Sequence, residues 1–144
     1  MRQAQHEITI NTRGQGLVEF TREAGDFVRA SGLETGLLTV FVRHTSASLL
    51  IQENADPDVL RDLLAFFRRL VPEGDALYVH TAEGPDDMPA HVKSALTATT
   101  LSIPISLGRM VLGTWQGIYL FEHRTAPHRR KVVLHCVGEA APGA

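Results

Sequence analysis

The chain has 144 residues, of which 44% are hydrophobic and 21% are charged, and its formal net charge is −2. This length and balance predict one soluble globular domain spanning residues 1–144, and the weakly acidic charge argues against a nucleic-acid-binding protein, which needs many cations. One cysteine, Cys136, excludes an intrachain disulfide and suits the cytoplasm, and no apolar run approaches the roughly 20 residues of a membrane span.

The first third of the chain alternates between strand and helix patterns. Residues 6–12 alternate apolar and polar side chains and predict a half-buried strand. Thr21 is a candidate N-cap for a short helix that ends near Gly32, since glycine suits the position after a helix. Residues 36–44 are almost continuously apolar, which predicts a central strand buried on both faces, and residues 49–54 predict another strand.

The strongest helix signal begins at Asp56, a good N-cap, which is followed by Pro57 at the first helical position. Pro72 ends the pattern. Apolar residues recur at helical spacing on one face, so we expect this helix to pack on a sheet as scaffold.

The second half of the chain is dominated by strands. We expect a short strand at residues 76–81 and a short helix with Asp87 near its N-cap and Pro89 in its first turn. A tight turn at Leu107-Gly108 and a loop after Arg124 separate three strands in an antiparallel meander, at residues 101–106, 109–123 and 130–138. The predicted fold class is α+β: a single domain of largely antiparallel sheets (a sandwich or half-barrel) with a few inserted helices and a flexible tail at 139–144.

Seven histidines are present, and several fall where segments from distant parts of the chain converge. His44 and His80 follow predicted strands, and His91 lies in the first turns of a helix. Imidazole suits zinc and several other divalent metals, so His44, His80 and His91 are candidate metal ligands or acid/base groups. The alternative for each is a surface or strand-end histidine, because no local metal-binding motif is present.

Two polar stretches are candidates for ligand binding. Residues 44–58 combine hydroxyls that can hold an anion with carboxylates that can hold a hard cation such as Mg2+, although Asp56 is also explained as a helix cap. Residues 80–91 carry three carboxylates between His80 and His91, which fits either a metal-associated loop or side chains that complement a helix dipole.

The stretch GTWQGIYLFEHR, residues 113–124, carries the only tryptophan and is polar at both ends. Arg124 begins a basic run that continues at Arg129, Arg130 and Lys131, and arginine suits phosphate or carboxylate. A solvated loop is the alternative. Trp115 offers a stacking face for a flat ring, or it fills a core or a subunit interface.

These motifs together resemble the YjbQ-like family, also called the secondary thiamine-phosphate synthase family. The resemblance rests on HTSASLLIQENADPDVLRDL, YVHTAEGPDDMPAHVKSAL and SIPISLGRMVLGTWQGIYLFEHR and covers most of the chain. It implies a compact α+β domain assembled as a homotrimer. It also implies a weak thiamine-phosphate synthase activity, which joins hydroxymethylpyrimidine diphosphate to a thiazole phosphate and releases pyrophosphate.

The resemblance assigns candidate site residues to this sequence. The candidate catalytic residues are His91, Glu53, Asp56, Glu122 and His123. The candidate contacts to a small phosphorylated substrate are Thr45, Ser46, Ser48, Asn54, Trp115, Gln116 and Arg124. The implied cofactor is a divalent metal, Mg2+ for diphosphate chemistry or Zn2+ if the histidines form a site. The alternatives are a metal-dependent hydrolase or phosphatase that uses the histidines, and a non-catalytic trimer that binds a small ligand or metal.

Overall fold

The computed structural model describes residues 1–74 and 76–143 and has an α+β fold of two antiparallel sheets and, in these residues, three helices. The larger sheet is curled like a half-barrel. Its strands lie in the order β1-β8-β3-β5-β6, and those of the smaller sheet in the order β2-β7-β4. In chain order the strands are β1 Arg2–Asn11, β2 Gly16–Glu19, β3 Leu33–Val42, β4 Ala47–Glu53, β5 Thr100–Ser106, β6 Arg109–Met110, β7 Gln116–Glu122 and β8 Arg129–Ala140. The antiparallel fold class predicted from the sequence is confirmed.

The hydrophobic core draws on both sheets and on the first helix. Alternate residues of β3 and β8 supply Leu38, Val40 and Leu134, and the smaller sheet supplies Leu49 and Leu120. Cys136 is also completely buried here, as expected for a small core side chain.

The three helices are α1 Thr21–Ser31, α2 Pro57–Leu70 and α3 Asp87–Leu96. None of the described helices is long and apolar enough to cross a membrane. Asp56 caps α2 by accepting a hydrogen bond from the Asp58 N–H, and Gly32 ends α1 in the left-handed conformation, both as predicted. Thr21 is not the N-cap of α1 but its first residue, and its hydroxyl instead accepts a bond from the Ile118 N–H of β7.

Strands β3 and β8 approach each other closely at a pair of facing glycines. Gly36 lies opposite Gly138. A Cβ atom added to Gly36 would lie 2.3 Å from the Val137 carbonyl oxygen, and one added to Gly138 would lie 2.1 Å from that of Thr35. The backbones therefore leave no room for a side chain at either position. Strand β8 continues to Ala140, so the first residues of the expected tail lie in the sheet.

The structure corrects the prediction of a strand at residues 76–81. These residues form turns and bends. Leu77 and Val79 are 86% and 98% exposed, so the apolar residues of this alternating pattern do not pack against the core. His80 turns toward Asp87 instead of joining a sheet.

The predicted late meander is also wrong. Only β5 and β6 form a hairpin, across a turn in which Leu107 and Gly108 both have positive φ as the predicted tight turn requires. The segment 109–123 divides into β6 and β7, and β7 lies in the other sheet. β8 returns to pair with β1 and β3. Alternation predicts which face is buried but not which strand is the neighbour.

Strand β3 is not buried on both faces, contrary to the prediction. Its side chains alternate, and Leu37 and Phe41 on the outer face are 38% and 46% exposed. The outer face of the curled sheet is not covered by any described helix at these positions.

Candidate functional site

Three side chains that suit a metal ion converge at the start of α3. The Asp87 Oδ2 atom lies 2.7 Å from His80 Nε2 and 3.3 Å from His91 Nε2. The three ligand atoms all lie within 4.8 Å of one another. The two histidine rings are in edge contact, with centroids 5.6 Å apart.

Helix α3 supplies two of these groups because its residues 87 and 91 are one turn apart. The remaining ring nitrogen of His91 points away from the cluster: Nδ1 lies 3.2 Å from the Thr45 carbonyl oxygen. A carbonyl can only accept, so Nδ1 carries a hydrogen, and Nε2 is the ring nitrogen that faces Asp87 and His80. A ligating histidine commonly has such a second hydrogen bond.

Arg124 holds the acidic side of the cluster in place. Its guanidinium donates to Asp86 Oδ2 at 2.9 Å, to Asp87 Oδ1 at 2.7 Å and to the Glu83 carbonyl at 3.0 Å. Asp87 is 2% exposed. Its Oδ1 is held by Arg124, and its Oδ2 therefore faces the two histidines.

Both aspartates are held ionised. Burial alone would raise the pKa of Asp87, but the hydrogen bond from His80 and the charges of His91 and Arg124 outweigh it and lower this pKa. Burial opposes ionisation of Asp86 as well, but hydrogen bonds from Arg124 and the Thr125 N–H lower its pKa to about 2. The cluster therefore carries a carboxylate at neutral pH.

A cavity of about 400 Å³ adjoins His80. The described residues that line it include Tyr78, His80, Thr81 and Met88. Its size falls within the range of small-molecule pockets.

His44 does not belong to this cluster, although the sequence favoured it as a ligand. Its Nε2 accepts a 2.7 Å hydrogen bond from the Lys131 N–H, because His44 lies two residues beyond the end of β3, beside β8. Burial, followed by the charge of Arg130, lowers the pKa of His44. It borders a separate recess with Thr45 and His91. In the structure, the third candidate metal ligand beside His80 and His91 is Asp87 and not His44.

Glu122, predicted as a catalytic group, is instead completely buried between the sheets. Its Oε1 accepts hydrogen bonds from Thr12 Oγ1 at 2.6 Å and from Arg130 Nε at 2.8 Å. Arg130 also donates to the carbonyl and hydroxyl oxygens of Ser46. Burial opposes ionisation, but the bonds from Arg130 and Thr12 lower the pKa of Glu122. This ion pair joins β7 to β8.

His123 and Ser48 form a second buried polar group. Ser48 Oγ lies 2.8 Å from His123 Nε2 and 2.6 Å from Thr97 Oγ1. The His123 Nδ1 atom is buried without a hydrogen-bond partner among the described residues. Burial and then the charge of Lys93 lower the pKa of His123 to about 3, so the ring is neutral at neutral pH.

The other predicted residues lie elsewhere, around the start of α2. Glu53 Oε2 accepts from the Asp56 N–H, and Asn54 donates its N–H to the Trp115 carbonyl. Gln116 bonds back to the Gly113 N–H, and Trp115 is 62% exposed. Glu53, Asn54 and Asp56 border a recess of about 270 Å³. The predicted residues thus divide among several separate places rather than forming one site.

Sequence reasoning did not predict the burial of two cationic side chains, Arg130 and Lys93. Arg130 alternates with Val132, Leu134 and Cys136 on the inward face of β8, so period-2 spacing could have shown that it is buried. Lys93, which is 2% exposed, follows Ala90 at helical spacing on the buried face of α3.

Comparison with known proteins agrees with the family resemblance. The model of the family described as UPF0047 protein YjbQ-like matches residues 6–139. The chain belongs to this family. A UPF0047 protein, sll1880 of Synechocystis, is 58% identical over 96% of this chain and 94% of its own. The UPF0047 protein YjbQ of Salmonella typhimurium is 44% identical over 94% of this chain and 98% of its own.

Solved structures of similar proteins share the fold. An uncharacterised YjbQ/UPF0047-family protein from Clostridium acetobutylicum is 36% identical, with a TM-score of 0.82, over 92% of this chain and 99% of that one. The hypothetical protein APE1520 from Aeropyrum pernix is 29% identical, with a TM-score of 0.85, over 94% and 99% of the two chains. Family membership therefore establishes the fold, and the chemistry has to be argued from the site.

Proposed function

We propose that this protein is a metal-dependent hydrolase of small phosphorylated molecules, with a divalent ion such as Zn2+ held by His80, Asp87 and His91. The observation that carries the proposal is the hydrogen bond from His91 Nδ1 to Thr45, which leaves Nε2 facing the other two groups. Two imidazoles and a carboxylate are a common ligand set of catalytic zinc, which leaves a coordination position for water or substrate.

The spacing of the three groups fits one ion. Two ligand atoms about 2 Å from a tetrahedral zinc lie roughly 3.3 Å apart. The 3.3 Å separation of His91 Nε2 and Asp87 Oδ2 already has this value. The 2.7 Å contact of His80 with Asp87 is a hydrogen bond, and it would have to lengthen by about 0.6 Å for both atoms to ligate one ion.

A bound ion would polarise water and lower its pKa toward 7, which makes a nucleophile available at neutral pH. The chain's own residues hold the metal ligands in position. Arg124 fixes Asp87, Thr45 fixes His91, and the 400 Å³ cavity beside His80 offers room for a substrate.

The first experiment measures zinc binding by the purified, chelator-treated protein in competition with a chromogenic chelator. We expect one ion per chain in the wild type and a loss of at least about tenfold in affinity for His80→Ala, Asp87→Asn and His91→Ala. His135→Ala is the matched control, because His135 is only half-buried on β8, bonds to Gln5 and lies outside the cluster.

The second readout is metal-stimulated hydrolysis of p-nitrophenyl phosphate by the same variants. Equal zinc affinity in wild type and Asp87→Asn would rule out the metal site. Zinc binding with no hydrolysis of phosphate esters would retain the site and reject the hydrolase.

Thiamine-phosphate synthesis, which the family resemblance implies, is a second proposal. Trp115 supports it, because an exposed indole can stack on a pyrimidine. The Trp115 carbonyl also accepts a hydrogen bond from the Asn54 N–H, which places Trp115 beside the carboxylates of Glu53 and Asp56. Incubation with hydroxymethylpyrimidine diphosphate, thiazole phosphate and Mg2+ should yield thiamine phosphate in the wild type and less with Trp115→Ala. No product from the wild type would remove this proposal.

We also propose that the protein assembles as a homotrimer through the outer face of the larger sheet. The exposed side chains of Leu37 and Phe41 support self-association, as does a shallow recess beside Phe41 and Val133. Light scattering coupled to gel filtration should give three times the chain mass, and Phe41→Arg should lower it. A monomeric wild type would contradict this assembly.

A further inference from the structure

The feature that neither the metal cluster nor the family resemblance explains is Lys93. It is the largest of the fully buried side chains, at 2% exposure. Among residues 1–74 and 76–143, its ammonium group has no hydrogen bond or ion pair. Burying an ammonium group without a directly bonded partner is costly.

Lys93 lines a cavity of about 450 Å³ between the end of α2 and α3. Arg68 of α2 lies on the same lining. Its Nε donates to Gln15 at 3.3 Å, while its two terminal nitrogens make no hydrogen bond in the described part of the chain. The cavity therefore presents two cations with unused donors.

The polar groups around these cations are mostly engaged. Gln15 donates to Glu73 at 2.9 Å and to the His123 carbonyl at 3.2 Å. Asp86, whose charge acts on Lys93, accepts from Arg124 and Thr125. Glu73 is the one carboxylate on the described lining, and its side chain is exposed and tied to Gln15.

We propose that this cavity is a second binding site, for the phosphate group of a phosphate monoester, held by the Lys93 ammonium and the Arg68 guanidinium. Charge-assisted donors of these two kinds are what a phosphate oxygen prefers. An anion here would supply the directly bonded partner that the Lys93 ammonium lacks in the described part of the chain. The volume exceeds what a phosphate alone fills, which favours an ester with an organic group over free phosphate.

The site is independent of the metal cluster. Lys93 and Arg68 do not contribute to the group formed by His80, Asp87 and His91. Binding is therefore measured on chelator-treated protein, so that phosphate does not bind through a metal ion, and failure of one proposal leaves the other standing.

The test is isothermal titration with phenyl phosphate and, in a separate arm, inorganic phosphate. We expect saturable binding, tighter for phenyl phosphate. Lys93→Met should weaken it by at least about tenfold and Arg68→Gln by several-fold, since each removes a charge-assisted bond. Glu73→Gln should tighten binding because it removes the opposing charge.

Arg69→Gln is the matched control, because Arg69 neighbours Arg68 on α2 but is outside the lining, and it should change affinity less than twofold. Arg68 is exposed, so Arg68→Gln keeps the test valid if Lys93→Met fails to fold. Tighter binding of inorganic phosphate would replace the ester with the free ion as ligand. No saturable binding of either compound, or equal losses in Arg68→Gln and Arg69→Gln, would overturn the site.

Discussion

Arg130 of β8 and Glu122 of β7 form a buried ion pair that bridges the two sheets, and the surrounding chain satisfies both groups. Arg130 donates to both carboxylate oxygens of Glu122. Glu122 also accepts from Thr12 and from the backbone N–H groups of His123 and Arg124. The bonds from Thr12 to Glu122 and from Arg130 to Ser46 tie two further segments to this point, whereas those from His123 and Arg124 are local to the end of β7.

Removing one partner should be far more damaging than removing both. We expect Arg130→Met to lower the free energy of unfolding by about 3–5 kcal/mol, because it leaves Glu122 buried and unpaired. Urea unfolding followed by circular dichroism measures this. The double variant with Glu122→Leu should recover part of the loss, and a double variant less stable than Arg130→Met would contradict this account.

Acid should destabilise the protein through His123. Its pKa is about 3 in the folded chain and ordinarily 6.5, so the unfolded chain binds an extra proton between these values. This contribution to stability is fully present above pH 6.5 and is lost as the pH falls toward 3, by up to roughly 1.4 kcal/mol per pH unit.

Urea unfolding at pH 7, 6 and 5 provides the measurement. His123→Gln should show a shallower loss of stability with falling pH than the wild type. His135→Gln, at a half-buried position of β8, should keep the wild-type slope. Equal slopes for all three proteins would show that His123 titrates normally.

Arg124 should act on metal affinity without touching the ion. Its bonds to Asp86 and Asp87 orient the carboxylate that faces His80 and His91. Arg124→Gln should therefore weaken zinc binding by about 10–100-fold while the stoichiometry stays at one. The chelator competition assay measures this, with Arg69→Gln as control, and unchanged affinity would show that Asp87 needs no such support.

The facing glycines should tolerate no side chain. We expect Gly138→Ala to destabilise the protein by about 1–3 kcal/mol, because its Cβ would lie 2.1 Å from the Thr35 oxygen and force β3 and β8 apart. Gly113→Ala is the control, since its Cβ meets the Gln116 side chain at 3.3 Å. Thermal unfolding compares the two, and equal midpoints would mean that the strands separate at no cost.

Local signals in the sequence predicted local structure well. The Asp56 cap, the Gly32 end of α1 and the turn at Leu107-Gly108 are each set by the backbone needs of one or two residues. The strand partners were not predictable in the same way. β7 lies in the smaller sheet, whereas its neighbours in sequence, β6 and β8, lie in the larger one. The alternation of apolar and polar residues does not indicate which sheet a strand joins.

The candidate site shows the same division. His80 and His91 were recognisable as metal-binding side chains, and the structure brings them together. Asp87 was equally explained as a helix-start residue, and only its contact with Arg124 shows which way it faces. Glu122 and His123 were candidate catalytic residues through the family resemblance, and both are buried by contacts with residues far away in the chain.

The three proposed ligands lie close together in the chain, between His80 and His91, whereas Arg124 and Thr45 reach them from distant segments. A synthetic peptide of residues 78–96 would contain every ligand and none of the supports. The ratio of zinc affinities between the intact protein and this peptide would therefore measure preorganisation, the share of metal binding that the fold contributes by holding the groups ready.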